Sequence, residues 1–293
     1  MSIRLTKRCG RRRQRGMALL VVLWGSTLAA IVLGALAINA HVEGLQARAQ
    51  IDETQAFYAA QAGLEQAVFS MRLRDEDRRW ISDGRPYRLS IGDARVEVSV
   101  MDDDGKVNLN QASPALIGKL IAASGVDAER TAGLVDAIGR WGALPPGATG
   151  VPQFLAAGGF ASIEELQRVP GMTPDIYHRV EPVLTLWQAG GSPNLAHAAP
   201  LVVAAVGGVS IEEALAFVEA RGNAAGPIRE LPPLPGGLRV GASLTASDVL
   251  SISSKATLAD GVSRLLRVTV RLNDQPGDRR TYRVLRWQVD SGS

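Results

Sequence analysis

A 24-residue run without a charged side chain, Met17 to Ala40 (MALLVVLWGSTLAAIVLGALAINA), constrains this chain more than any other feature. A helix needs roughly 20 apolar residues to cross a bilayer, and this run is long enough. The residues before it carry seven cations (Arg4, Lys7, Arg8, Arg11, Arg12, Arg13 and Arg15) and no acid. With the Lys/Arg excess wholly on that side, the N-terminus is expected to stay cytoplasmic and everything after Ala40 to be exported. The leader also distorts the composition. The formal net charge of the whole chain is +3, yet without the seven leader cations 25 basic residues face 29 acids, a net −4. A globally basic nucleic-acid footprint is therefore absent. The one cysteine, Cys9, lies in the leader as well. No intrachain disulfide is possible, even in an oxidising compartment.

Three readings of this N-terminus stay open on its residues. A secretory signal would be cut after the small-x-small triplet Ala35-Leu36-Ala37, although the apolar run exceeds the usual h-region of about 7–15 residues. A plain signal anchor would be left uncut. A class III leader would be cut between Gly16 and Met17, on the cytoplasmic side of the run. A glycine between a basic leader and an unbroken apolar helix suits a prepilin peptidase, because the small residue lets a membrane-embedded protease reach the backbone. The arginine pairs are followed by no suitable twin-arginine export consensus.

Helical character continues past the membrane. From His41 to about Asp75 there is no proline, and the only glycines are Gly44 and Gly63. Leu45, Ala49, Ala56, Ala60, Gly63, Ala67 and Met71 recur at helical spacing, with Phe57, Leu64 and Val68 widening the stripe. The spacing predicts one helix of about 55 residues, roughly 80 Å at 1.5 Å per residue. Its first half is apolar all round and its second half amphipathic. A membrane anchor followed by a separate surface helix is the plainer alternative.

Gly16-Met17-Ala18-Leu19-Leu20, the uncharged run, and Phe57-Tyr58-Ala59-Ala60-Gln61-Ala62-Gly63-Leu64-Glu65 resemble type IV pilin-related proteins. Most pilins carry a glutamate at the fifth mature position, facing a neighbouring subunit's N-terminal ammonium. Val21 stands there in this chain. A buried charge without its partner is costly, so the loss suits a subunit with no neighbour above it. In this the chain is similar to the K-class minor pseudopilins of type II secretion.

Downstream, Arg85–Ile91 and Ala94–Met101 alternate apolar and polar residues around Gly92-Asp93 and predict a β-hairpin. Leu250–Ala256, Arg264–Leu272 and Thr281–Val289 alternate similarly, with a turn at Asp274–Asp278. Between these β-rich regions, Asn108 to about Arg221 reads as helical. The predicted fold is α+β and type IV pilin-like: a long N-terminal spine helix on a small antiparallel sheet, interrupted by an all-α insert of SAM-like, helix-hairpin-helix units. The expected divisions are leader 1–16, transmembrane spine 17–40, periplasmic spine 41–78, first part of the sheet 79–105, insert with its Pro/Gly return linker 106–248, and second part of the sheet 249–293. Within the insert, Asn108–Pro114 recurs as Asn194–Pro200, each proline suiting a first helical turn. Gly125-Val126, Gly171-Met172 and Gly208-Val209 read as hairpins between helices. Ser162 with Glu165, and Ser210 with Glu213, have the spacing of capping boxes. The stretch Phe160 to Tyr177 is similar to the second such unit of K-class pseudopilins. Residues 222–248 and Ala143–Gly150 read as linker and loop.

Helix-hairpin-helix units often bind nucleic acid, but that needs cations beside the hairpins. Asp127, Glu129, Asp175, Glu212 and Glu213 follow them here, with Lys119 and Arg130 beside the first only. Asp102, Asp103 and Asp104 before Gly105 suit either a strand-ending turn or part of a calcium site, and the turn is preferred. The resemblance implies a calcium-binding loop in the insert, but the family's acid cluster after a tryptophan is missing after Trp141. His41, His178 and His197 lack metal-ligand spacing, and there is no Walker motif, GxSxG motif or body cysteine. Tyr177, His178 and Arg179 read as packing and surface residues. No enzyme is expected.

The resemblance implies a non-enzymatic subunit at the tip of the type II secretion pseudopilus, initiating or capping its assembly. It implies prepilin peptidase cleavage at Gly16–Met17, N-methylation of Met17, and residence in the inner membrane with the bulk periplasmic. The implied partners are the I- and J-class minor pseudopilins, through them the major pseudopilin, the inner-membrane assembly platform and the bilayer, with no nucleic acid. The rival reading is a membrane-anchored helix-hairpin-helix protein for DNA binding or uptake.

Overall fold

A computed structural model describes residues 15–75, 78–141, 159–188, 190–222, 233, 247–273 and 281–291. The leader residues before 15, the loop 142–158, nearly all of the linker and the turn at 274–280 lie outside these. The chain divides into two compact units, one ending at Gln55 and the other running from Ala56 to Ser293. Helix α1 runs over Arg15–Met71, 57 residues, as the unbroken helical pattern predicts. In the first unit its large apolar side chains are exposed, Met17, Leu23, Trp24, Ile31 and Leu36 to more than half their area.

In the second unit the end of α1 becomes one-sided. Ala56, Ala60, Leu64, Ala67, Val68 and Met71 are buried, whereas Tyr58, Glu65 and Phe69 are exposed. The predicted stripe is therefore the buried face from Ala56 onward. Its small residues let the helix lie close to a sheet. Gly63 marks the closest approach, since a Cβ built there would stand 2.5 Å from Ser254 Oγ and 2.8 Å from Val96 Cγ1. The helix closes with i−3 bonds from Arg72 and Leu73, and the Arg79 guanidinium donates to the Leu73 carbonyl at 2.9 Å.

That sheet is antiparallel with order β1-β2-β5-β6-β7, built from Asp83–Ile91, Ala94–Asp102, Val249–Thr257, Ser263–Leu272 and Tyr282–Ser291. The first two strands form the predicted hairpin. Ile91 pairs with Ala94 across a two-residue loop, and Gly92 at φ 56 supplies the positive angle such a turn requires. Strand alternation then sorts the faces. Val96, Val98, Val100, Leu250, Ile252, Leu266, Val268 and Val270 are buried with the helix, and the intervening residues are polar. Strand β2 pairs with β5 across about 150 residues of chain, from Asp102 facing Leu250 to Arg95 facing Thr257.

The insert between them has its own core, including Leu120, Leu134, Ile163, Leu166, Ile176 and Val203. Among the described residues its helices are α2 (Pro114–Ala123), α3 (Ala128–Trp141), Pro174–Val180, Pro200–Gly207 and Ile211–Gly222. The sequence repeat has one local structure twice. Asn108 Oδ1 accepts from Asn110 N at 2.9 Å, and Asn194 Oδ1 from Ala196 N at 3.1 Å, each turn leading into a helix that opens on proline. Gly125, Gly171 and Gly208 all have positive φ (88°, 89° and 65°), as the hairpin reading required. Ser210 and Glu213 form the predicted reciprocal cap at 2.9 and 3.2 Å. The cap predicted at Ser162 does not form. Ile163–Arg168 is a 3₁₀ turn, and Ser162 makes no side-chain cap. Pro170 explains the short run, because the residue before a proline avoids helical angles and Val169 is extended. The root of the insert adds a parallel two-residue ladder, β3 (Val107–Asn108) with β4 (Leu184–Thr185).

Candidate functional site

Two regions hold the residues singled out by the sequence. In the first unit, Gly16, Met17 and Val21 lie on α1, and Met17 and Val21 are about 70% exposed. From Met17 onward, α1 is the one continuous helix among the described residues that is long and apolar enough to cross a membrane. The helices Pro200–Gly207 and Ile211–Gly222 pass the same test only as a pair bent by 118°, and Val202, Val203, Ala214 and Phe217 bury them in the insert.

The second region is the acidic turn at the junction of sheet and insert. Asp102 ends β2 and opens a 3₁₀ turn over Asp103–Gly105, accepting from Asp104 N at 2.9 Å. Its oxygens also accept from Ser247 N at 2.7 Å and Ser247 Oγ at 2.6 Å. Asp103 Oδ1 accepts from Ser251 Oγ at 2.6 Å and lies 2.9 Å from Lys106 Nζ, while Oδ2 accepts from Thr185 Oγ1. Asp102 and Asp103 are fully buried. Burial, with the charges of Asp102, Asp103 and Asp248, pushes the Asp104 carboxyl up. The turn thus ties β2, β4, β5 and the residue Ser247 just before β5 to one another.

A calcium ion does not fit this donor set. The Asp102 and Asp103 oxygens are already used by protein donors, and the Lys106 ammonium holds the position a cation would take. No group of three or more metal-ligating side chains occurs among the described residues. The loop after Trp141, where the resemblance would place calcium, lies outside them.

Around this turn stand residues whose roles sequence reasoning missed. The His197 ring is buried, its two nitrogens have no hydrogen-bond partner, and Nε2 lies 3.9 Å from Asp102 Oδ2. Burial pushes the imidazole down, against the pull of Asp102. Arg221 is buried and donates to the carbonyls of Leu195 and Ala198 at 2.8 and 2.9 Å. Arg286 on β7 bridges sheet to insert, 2.7 Å from Glu164 and 2.6 Å from Glu181. Burial acts to lower the Arg286 pKa, but these two carboxylates raise it further. Nothing local in the sequence marks these pairs.

The second unit also leaves apolar side chains uncovered on the side of the sheet that carries α1. Tyr58 and Phe69 on α1, and Val284, Trp287 and Val289 on the edge strand β7, are exposed apolar residues. Tyr282 Oη donates to Glu65 at 2.7 Å and joins the helix to that edge strand.

No family model matches the chain, and no curated protein matches it. A solved structure does. One chain of the crystal structure of the GspK-GspI-GspJ complex, from the type 2 secretion system of enterotoxigenic Escherichia coli, is similar over 84% of this chain and 99% of that one. The TM-score is 0.53 and the identity 17%. The fold is pilin-like. An N-terminal helix, an antiparallel sheet and a helical insert between its strands make this pilin-like fold, and the match shows architecture rather than shared chemistry.

Proposed function

We propose that this chain is a K-class minor pseudopilin of a type II secretion system, a structural subunit rather than an enzyme. The observation that carries the reading is the helical insert between β2 and β5 of a pilin-like sheet. That architecture is similar to a chain of the GspK-GspI-GspJ complex over nearly the whole of the solved chain. The Gly16–Met17 junction supports it, because a prepilin peptidase would free the Met17 amine for N-methylation. The charge pattern supports an inner-membrane span with a cytoplasmic N-terminus and a periplasmic bulk.

The subunit would sit at the tip of the pseudopilus. Val21 offers no carboxylate to a neighbour's ammonium, which suits a position with nothing above it. The insert would block further addition there. Exposed Tyr58, Phe69 and Trp287 suit packing against I- and J-class subunits, since aromatic side chains dominate protein interfaces. Through these partners the subunit would reach the major pseudopilin and the inner-membrane assembly platform. Mass spectrometry of the mature N-terminus tests the reading. A chain starting at N-methylated Met17 is expected. A start at Ile38 would assign the leader to ordinary secretion and overturn it.

A further inference from the structure

The face of the sheet turned away from α1 carries a concave basin of about 680 Å³ at the end remote from the acidic turn. Arg88, Ser90, Arg95, Glu97, Lys255 and Thr257 line it. Strand register arranges them in two rows. Arg88 faces Glu97, which faces Lys255, and Ser90 faces Arg95, which faces Thr257. Three cations therefore surround one carboxylate. This is not a consequence of composition, because the chain beyond its leader is net acidic. Glu97 is satisfied loosely at best, since its contact with Arg88 spans 3.4 Å between side chains 54% and 83% exposed. Arg95 and Lys255 make no ion pair among the described residues.

We propose that this basin docks an extended acidic segment of a protein partner. Arg95 and Lys255 are diagonal neighbours on adjacent strands, about 7–8 Å apart at the backbone. Carboxylates two residues apart on an extended chain lie about 6.7 Å apart on one side, so alternate Asp or Glu residues meet both cations. Ser90 and Thr257 offer hydroxyls to the same groups. The pattern favours discrete carboxylates over nucleic acid. Glu97 in the middle repels a continuous run of phosphates, and no outward-facing position of these rows is aromatic, so unpaired bases find no stacking platform. The proposal does not depend on the pseudopilin reading.

Fluorescence anisotropy of the full chain in zwitterionic detergent tests this. The probe is a labelled hexapeptide of alternating Thr and Glu, compared with its Thr/Gln counterpart and with a short DNA duplex. The Glu peptide should bind, weaken as salt rises from about 50 to about 300 mM, and lose about tenfold or more in affinity in Arg95→Gln/Lys255→Gln. Glu97→Gln should tighten binding, and Arg130→Gln, at an exposed cation of α3, should leave it unchanged. If melting shows that the double variant is unfolded, Arg88→Gln and Glu97→Gln carry the comparison. No binding of the Glu peptide, equal binding of the Gln peptide, tighter binding of the duplex, or no effect of the folded basin variants would each overturn the proposal.

Discussion

Replacing Gly63 by alanine gives opposite expectations from helix propensity and from packing, which makes it the sharpest test of how α1 lies on the sheet. On propensity alone, alanine at a mid-helix glycine gains about 1 kcal/mol. The structure puts three side-chain atoms against the new Cβ: Ser254 Oγ at 2.5 Å, Val96 Cγ1 at 2.8 Å and Val98 Cγ2 at 3.0 Å. Carbon pairs prefer about 3.5–4.0 Å, so helix and sheet must separate by several tenths of an ångström or more. Ser254 Oγ can rotate away, but the valines are stiff at χ1. Overpacking of this kind costs about 1–3 kcal/mol, and the upper part of that range applies with three contacts. Gly63→Ala should therefore lose about 1 kcal/mol net, and Gly63→Val, with two more methyls and little propensity gain, about 3 kcal/mol. For a domain of this size each kcal/mol moves the midpoint by about 2–4 °C. Melting of the full chain in detergent, followed by circular dichroism, should show losses of about 3 and about 9 °C. Gly133→Ala on α3 is the control, since nothing lies within 4 Å of its Cβ position. It should gain about 3 °C. Ser254→Ala removes a buried hydroxyl without a partner and should restore part of the loss in the double variant. If Gly63→Ala raises the midpoint as Gly133→Ala does, the close approach of α1 to β2 and β5 is wrong.

Other perturbations probe the polar junction. Asp103→Asn leaves the Lys106 ammonium, about 10% exposed, without its carboxylate; it should cost about 3–5 kcal/mol in denaturant unfolding. Arg286→Met strands Glu181, whose side chain is 8% exposed, and should cost about 3 kcal/mol by the same measurement. Burial pushes the Glu164 carboxyl up, but hydrogen bonds from its own backbone, Arg286 and Ser162 outweigh this and hold it below the ordinary value. Its contribution is therefore present above the unfolded pKa of about 4.3 and lost as pH falls through the folded value. The acid limb of a pH–stability profile should flatten in Arg286→Met, and an unchanged limb would remove Arg286 as its cause. For His197 the folded state disfavours the proton, because burial outweighs Asp102. Stability should fall as pH drops below about 6.5, where the unfolded imidazole begins to charge. His197→Gln should flatten the profile between about pH 7 and 5, and parallel profiles would refute the assignment.

Much of the fold was legible because it repeats. Alternation over seven to nine residues identified β1, β2, β5, β6 and β7, and the small residues from Ala56 to Met71 identified the face of α1 that a sheet covers. The two Asn-to-Pro segments were legible for a different reason: an asparagine that turns its own backbone and a proline that opens a helix act within seven residues. Capping signals succeeded where nothing downstream opposed them, as at Ser210, and failed at Ser162, where Pro170 cut the helix short before the cap could contribute. The two-residue ladder of β3 and β4 is too short to have a period at all.

The acidic turn shows where such reading ends. Three aspartates before a glycine are compatible with a turn or with a cation, and their own sequence cannot separate the two. What separates them is the set of donors that the fold delivers: Ser247 to Asp102 across 145 positions, Thr185 and Ser251 to Asp103 across 82 and 148. None of these residues has a pattern that announces it, because a serine on a strand looks the same whether its hydroxyl meets water or a buried carboxylate. Burial makes the difference large, since an aspartate out of water must find such donors or lose its charge. The same reasoning explains Arg286, whose partners Glu164 and Glu181 lie in the insert while it lies on the last strand. These contacts join parts of the chain that lie far apart in sequence. They therefore report on the completed fold and not on any segment of it.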